Sequence, residues 1–400
     1  VNAAPRVIFV NRVYWPATAA TAQLLTDLAE GLARKGWSVH VISSGTVSTV
    51  RNGVTIHRTG EDQAAPGIFS RIQNYRRFTH AACETLERLL QTGDIVVPMT
   101  DPPTLGMAVT RVAANRGAHL IPWLQDIYPE IAAHHFGILA SAALFPLKLR
   151  RNHAWRQAAA LVVLGQDMAQ TLLNQGVPRE KICVIPNWAP RELHTPAPDK
   201  EVAEHRRSRW ELDDKFVVAY SGNLGRVHEF ATVLDAANQL RDEARIEFLF
   251  IGDGPRFDEV KRLAQRRRLT NLRLLPFEPR GSLPASLRAA DAHLVTLLPG
   301  YARLVYPSKF AGVLAAGRPV LFIGPTEGEI ASTIRQHDCG AAVATGDATR
   351  LATLIRQLAG DAVLWRKQSD QARLLYTQEF TGDKALARWE DLLGLHRTNG

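Results

Sequence analysis

The chain has 400 residues, 46% of them hydrophobic and 22% charged, with a formal net charge of +9. That length holds two or three domains with full cores, and the composition excludes a disordered, collagenous or low-complexity protein. Cys83, Cys183 and Cys339 lie far apart without metal-ligand spacing, which excludes a disulfide framework and fits buried thiols in a reducing compartment.

The chain opens on VNAAPRVIFV, with no signal-peptide pattern and no initial methionine, which points to a trimmed start. RVIFV (6–10), SVHVIS (38–43), VTIH (54–57), DIVVP (94–98), HLIPW (119–123), ALVVL (160–164) and ICVIP (182–186) read as strands. Their continuous apolar character predicts strands covered on both faces, as in parallel sheets. AQLLTDLAEGLARKG (22–36) reads as an amphipathic helix. No glycine follows the first strand before Gly31, so the Gly-x-Gly-x-x-Gly turn of a classical NAD-dependent dehydrogenase is missing. FSRIQNYRRF (69–78) sets Arg71, Arg76 and Arg77 beside aromatics and suits either an anionic lipid surface or a solvated helix. FGILASAALFPL (136–147) is too short to cross a bilayer. With KLRR directly after it, an interfacial segment is one reading; a buried helix of the first domain is the favoured one.

Residues Pro190 to Asp214 combine prolines and charges and read as an interdomain connection with a short charged helix. The rhythm restarts with KFVVAYS (215–221), RIEFLFI (245–251), NLRLLP (271–276), AHLVTL (292–297), PVLFI (319–323) and AAVA (341–344). Helical patterns such as FATVLDAANQL (230–240) and ATRLATLIRQLA (348–359) separate them. Two consecutive βα arrays predict an α/β chain of two doubly wound, Rossmann-like domains facing a central cleft, the default ligand site. The expected boundaries are 1–190, a linker at 191–214, 215–380, and a C-terminal helix at 381–400 packing back on the first domain.

The chemistry-bearing signals cluster in the second half. YSGNLGRVHEF (220–230) is a strand entering a glycine-rich turn and then a helix, where Gly222 and Gly225 allow close approach and Arg226 and His228 add donors. FIGDGPR (250–256) repeats the arrangement, with Asp253 between Gly252 and Gly254 and Pro255 suited to a first helical position. LPFEPRGSLP, YPSKFAGVLAAGRPV and IGPTEGEI follow at later strand ends. In YPSKFAGVLAAGRPV, Ala311 stands where a capping box would place an acid three residues after Ser308, and Gly312 interrupts the helix at a cost of about 1 kcal/mol relative to alanine. There is no Gly-Lys-Ser/Thr loop, His-Glu-x-x-His, Cys-x-x-Cys or Asp-x-Asp, so no metal site is expected. No nucleic-acid recognition motif occurs either.

Read together, YSGNLG, GDGP, YPSKF…LAAGRPV and GEI resemble the C-terminal half of a GT-B glycosyltransferase of family 4, in the exopolysaccharide branch typified by the colanic-acid glycosyltransferases. LVVLGQDMAQTLLNQGVPREKICVIPNW (161–188) and LQDIYPE (124–130) are similar to segments of its N-terminal half. The resemblance implies a nucleotide diphosphate sugar, UDP-linked by preference, held by the C-terminal domain. It also implies a glycan or polyprenyl-pyrophosphate-linked acceptor on the N-terminal one, and metal-independent hexosyl transfer with retention and without a cofactor. The location implied is cytoplasmic, with a peripheral contact on the inner membrane face. In this reading Ser308 and Lys309 begin a helix whose free N–H groups catch the departing diphosphate. Gly222, Asn223, Gly252, Asp253 and Gly254 approach the phosphates, with Arg226 or His228 as a further cation. Phe277, Glu278 and Pro279 border the base, and Glu327 or Glu329 meets the ribose or sugar. Asp126 orients the acceptor, beside Thr18, Ala19 and Ala20 in place of a Gly-Gly loop. Leu304 and Gly312 stand where many relatives carry two glutamates. That leaves two alternatives open: a GT-B-like nucleotide-sugar epimerase, or a catalytically weak partner subunit.

Overall fold

A computed structural model describes residues 6–61, 67–193 and 200–396. The chain forms two units. The first holds the described residues up to Pro186, with 303–306 and those from Gly382 onward; the second holds 187–302 and 307–381.

In the first unit, β1 (Arg6–Val10), β2 (Ser38–Ser43), β3 (Thr49–Arg51), β4 (Val54–Arg58), β5 (Ile95–Pro98) and β6 (His119–Leu120) form one sheet in the order β3-β4-β2-β1-β5-β6. Only the β3–β4 pair is antiparallel. Val7 to Val10 and Ile95 to Val97 are buried, because helices cover both faces of these central strands. The helices are α1 (Ala20–Arg34), α2 (Ile68–Leu89), α3 (Leu105–Asn115), α4 (Glu130–Phe136), α5 (Ile138–Gln157) and α6 (Gln166–Asn174). A small parallel pair, β7 (Leu161–Val163) and β8 (Ile182–Val184), completes the set. Helix α1 buries Leu24, Leu25, Leu28 and Leu32, spaced as one helical face.

The second unit has an all-parallel sheet ordered β11-β10-β9-β12-β13-β14. Its strands are β9 (Phe216–Ser221), β10 (Ile246–Ile251), β11 (Leu272–Leu275), β12 (Ala292–Thr296), β13 (Val320–Ile323) and β14 (Gly340–Val343). Around it lie α7 (Lys200–Arg209), α8 (Ala231–Gln239), α9 (Phe257–Arg266), α10 (Leu283–Arg288), α11 (Lys309–Ala316), α12 (Glu329–His337), α13 (Ala348–Gly360) and α14 (Ala362–Glu379). Helix α15 (Gly382–Leu395) belongs to the first unit, where fully buried Trp389 meets Phe9 and Trp123 edge-on at 6.3 and 5.0 Å between ring centres.

One expectation is corrected. The run 136–147 is not buried: Phe136, Ile138, Leu139 and Phe145 are 54–86% exposed, and α5 buries only Arg151, Asn152, Ala154 and Trp155 near its end. The short charged helix expected within 191–214 is α7, and this stretch packs on the second unit, since Leu212 is fully buried and Arg207 bonds the Ala289 carbonyl and pairs with Asp291 at 3.0 Å; residues 194–199 lie outside the described residues. β3 was not expected, because Thr49 and Val50 are exposed on an edge strand and carry no continuous apolar signal.

Candidate functional site

In the second unit the strand order reverses between β9 and β12, the point where doubly wound sheets leave a crevice at the carboxyl ends of their strands. His228 spans that point. Its Nδ1 donates to the Thr296 carbonyl at 2.7 Å, which leaves Nε2 as an acceptor. Burial, and then the charge of Lys309, push the imidazole down to about 3, so it is neutral. Lys309 Nζ reaches this Nε2 at 3.3 Å and the Asn223 carbonyl at 3.2 Å, and lies 4.7 Å from the centre of the Tyr220 ring. The Tyr220 hydroxyl donates to the same Asn223 carbonyl at 2.7 Å, which fixes the turn after β9. Desolvation lowers the lysine to about 7. Near pH 7 it is therefore only part-protonated, and among the described residues its hydrogen-bond partners are neutral acceptors, with no carboxylate among them.

Lys309 is also the first residue of α11. Ser308 is exposed, makes no side-chain cap, and no acid lies in the first turn, so this helix end is open. Helices α8 and α9 differ. Glu229 is buried and accepts from Thr232 N at 3.0 Å, so the protein's own carboxylate occupies the start of α8. Helix α9 carries Asp258 and Glu259 in its first turn, and Pro255 precedes the helix instead of opening it. Of these three helices only α11 begins without a carboxylate in or against its first turn, although Phe310 N turns back onto the Pro307 carbonyl at 3.0 Å. His228 as a phosphate-binding cation is corrected, because burial keeps it neutral.

Gly222 has φ +126°, and a Cβ there would lie 2.7 Å from Lys309 Cε. At Gly252, with φ +151°, a Cβ would fall 2.1 Å from the Gly222 carbonyl oxygen. The missing Cβ of Gly254 faces Asn223 Oδ1 and Leu224 N. These glycines let two loops pack on one another and set the lysine's position. Asn223, Asp253 and Arg226 are exposed around them. Phe277 is 57% exposed and Pro279 is exposed, while Glu278 is tied to Arg206 at 2.7 Å. Glu329 opens α12 and is half-buried; Glu327 is exposed. A Cβ at Gly312 would meet Leu193 and Leu287 Cδ1 at 3.9 Å, in apolar surroundings.

The first unit holds a second set of residues, again at a reversal, between β1 and β5. Arg12 after β1 forms a two-pronged pair with Asp101 after β5, at 3.0 and 2.9 Å. Asp126 follows β6; its backbone bridges Val305, and Ile127 N bonds the Leu304 carbonyl at 2.9 Å. Burial, and then the charge of Asp101, raise the Asp126 carboxyl to about 6. It borders a cavity of about 30 Å³ that Tyr128, Arg151 and Trp155 also line. Thr18, Ala19 and Ala20 are exposed at the uncapped start of α1. No group of three or more potential metal ligands occurs among the described residues.

The comparisons with known proteins bear on this geometry. Residues 20–188 match the model of the glycosyl transferase 4-like domain, and 202–374 that of the glycosyl transferases group 1. The two matches together span most of the chain, one on each side of the change of unit. This chain belongs to the family 4 glycosyltransferases. A 154-residue stretch is 33% identical to WcaI of Escherichia coli K12, named as a glycosyl transferase of colanic acid biosynthesis, and covers 38% of each chain. Another of 268 residues is 29% identical to WbjE of Pseudomonas aeruginosa, named as a glycosyltransferase, and covers 66% of each. The matched stretches thus span less than two thirds of these relatives' own lengths. The fold is GT-B: the structure of Anabaena HepE in complex with UDP-glucose superimposes with a TM-score of 0.75, covering 98% of this chain and 99% of that one at 15% identity.

Against this family 4 background, sequence reasoning missed Tyr220 and Thr296, which anchor the turn and the imidazole. The available signal was a tyrosine at the end of an otherwise aliphatic strand, next to Gly-Asn. Arg12 and Asp101 were missed too. They lie 89 residues apart, and only the β1–β5 pairing joins them.

Proposed function

We propose that this family 4 chain transfers a hexosyl group, with retention and without a metal, from a nucleotide diphosphate sugar to a glycan or polyprenyl-pyrophosphate-linked acceptor in cell-surface polysaccharide assembly at the inner membrane face. The second unit holds the donor and the first the acceptor. Lys309, at the open end of α11 between Asn223 and His228, carries the reading: a preorganised cation and free N–H groups suit a leaving diphosphate. Ser308, Gly222, Asn223, Arg226, Gly252, Asp253 and Gly254 line its approach. Phe277, Glu278 and Pro279 border the base, and Glu327 or Glu329 meets the ribose or the sugar. The donor is UDP-linked, by analogy with the UDP-glucose complex of HepE.

A panel of nucleotide sugars tests the donor by thermal shift. UDP-glucose at 100 times its Kd stabilises by about 2.7 kcal/mol, which raises Tm by roughly 5–10 °C for a unit of this size. No shift with any nucleotide sugar would remove the reading. Binding without turnover on any acceptor would favour the weak-subunit alternative, which Leu304 and Gly312 support.

Asp126 orients the acceptor hydroxyl and must be ionised to accept its hydrogen bond. Its carboxyl sits at about 6, so turnover rises with pH through that value. At pH 5 it is about a tenth of the plateau. Asp126→Asn flattens this acid limb and lowers kcat about tenfold with KM for the donor unchanged. A limb that persists in the variant would assign it to another group.

A further inference from the structure

The amino ends of β12 and β13 hold a group of arginines that the donor site does not use. Helix α11 runs from Lys309 to Gly317 and Arg318, just before β13, and its eight residues set its two ends about 12 Å apart. Arg318 has its donors filled: Nε donates to the Ala290 carbonyl and Nη2 to the Arg288 carbonyl, both at 2.7 Å, and the guanidinium lies 5.4 Å from the centre of the Trp365 ring. Arg288, at the end of α10, differs. It is 7% exposed, and its Nε and Nη1 are buried without a hydrogen-bond partner among the described residues. On α14, Trp365, Ser369 and Arg373 are spaced four apart and share one face. Trp365 Nε1 donates to the Asp291 carbonyl at 2.8 Å, which turns this face toward Arg318. Ser369 is 7% exposed, and its Oγ is likewise unpartnered among the described residues. Arg373 is exposed and stands over Gly317, with Nη2 2.9 Å from where a Cβ on that glycine would lie.

The charges here do not balance. Burial, and then Arg373, lower Arg288; Arg318 faces Arg288, Arg373 and Arg207 against a single acid, Asp291. That acid is already engaged, since its Oδ2 accepts from Arg207 Nη1 at 3.0 Å and from Val217 N at 2.8 Å. Among the described residues neither Arg288 nor Arg373 forms an ion pair, and Asp370, one turn before Arg373, does not reach it. A buried guanidinium with unfilled donors is costly unless an anion completes it. We propose that Arg288, Ser369 and Arg373 form a binding site for a phosphate group, at the opposite end of the strands from the donor site. Two unpaired guanidinium groups supply two charges and forked donors, and the serine hydroxyl adds a further direction, a set that suits a tetrahedral dianion. A carboxylate would leave one charge unmatched. Arg373 meets the ligand from solvent, and Arg288 holds it from beneath.

The test is titration calorimetry and thermal shift of the full chain with inorganic phosphate, against chloride at equal ionic strength. Phosphate at 100 times its Kd is expected to raise Tm by roughly 5–10 °C, and chloride is not. Arg373→Gln, at an exposed position, weakens phosphate at least about tenfold and leaves the UDP-glucose shift as in the parent. Arg288→Met melts at or above the parent without phosphate, because a buried unpaired charge is gone, and phosphate no longer raises its Tm. Should that variant fail to fold, Ser369→Ala with Arg373→Gln replaces it, with the phosphate shift lost. Lys309→Ala keeps the parent's phosphate affinity, which separates this site from the donor site. Glucose 1-phosphate is titrated in parallel: tighter binding than inorganic phosphate assigns the ligand to phosphate monoesters, and equal or weaker binding assigns it to free phosphate, with the site standing in both cases. No phosphate shift in the parent, equal affinity in Arg373→Gln, or binding lost in Lys309→Ala overturns the site. So does an Arg288→Met variant that melts lower and still gains the parent's phosphate shift, since the arginine would then serve packing alone.

Discussion

Lys309→Ala is expected to lower turnover with the nucleotide sugar by about 100- to 1,000-fold while the protein stays folded, the range seen when one preorganised donor to a developing negative charge is removed. The size follows from the setting. Nζ is placed by the Asn223 carbonyl at 3.2 Å and by His228 Nε2 at 3.3 Å, and both acceptors are themselves held, by Tyr220 and by Thr296. No reorganisation is needed when the diphosphate departs. The fold survives because the turn keeps its Tyr220 and Thr296 bonds without the ammonium. The lysine also works against stability. Its folded value of about 7 lies below its ordinary 10.5, so the unfolded chain binds more protons between them and stability rises with pH through that window. Removing it at pH 7 therefore leaves Tm equal or higher, a separation of activity from stability that stability-limited loss cannot imitate. The bound diphosphate restores the charge. UDP binding near pH 8 is expected to take up a proton, seen as a calorimetric enthalpy that depends on the buffer's ionisation enthalpy. Unchanged kcat in the purified variant, or binding without proton uptake, would contradict the role.

Gly252→Ala is the second large effect, and it acts on the fold. At φ +151° an added methyl strains the backbone by about 1–3 kcal/mol. The methyl would also lie 2.1 Å from the Gly222 carbonyl oxygen, a rigid backbone atom with no rotamer to escape into. Gly222 N is held by the Ile251 carbonyl at 2.8 Å, and Gly252 N by that of Leu275 at 2.9 Å, so neither loop moves freely. The displaced Gly222 would press on Lys309, whose Cε already sits 2.7 Å from where a Cβ on that glycine would be. A loss of about 3 kcal/mol or more is expected, a fall in Tm of roughly 6–12 °C, together with loss of the UDP-glucose shift. A variant that melts with the parent and binds the donor normally would show that the two turns do not support the lysine.

Much of the architecture was readable before any coordinates. Val217 to Tyr220 or Phe248 to Ile251 are continuous apolar runs, and burial on both faces of a parallel sheet is what such runs require. The open start of α11 was readable as well, since a missing acidic partner at Ala311 is a local property of four residues. Failures came where an apolar residue's surroundings decide its exposure. FGILASAALFPL has the composition of a core helix, yet Ile138 and Leu139 lie in solvent.

What the chain determined by itself was therefore the set of short-range properties: periodicity, turn chemistry, the absent dinucleotide fingerprint, and which helix start lacks an acid. Only the tertiary structure decided which way each charge and lone pair is used. His228 reads as a cation in sequence, and it is neutral because β12 brings a carbonyl to one nitrogen and α11 a lysine to the other. Glu229, which the sequence pattern does not single out, closes the start of α8. Protonation and capping depend on burial and on partners tens of residues away, and a local pattern holds no record of either.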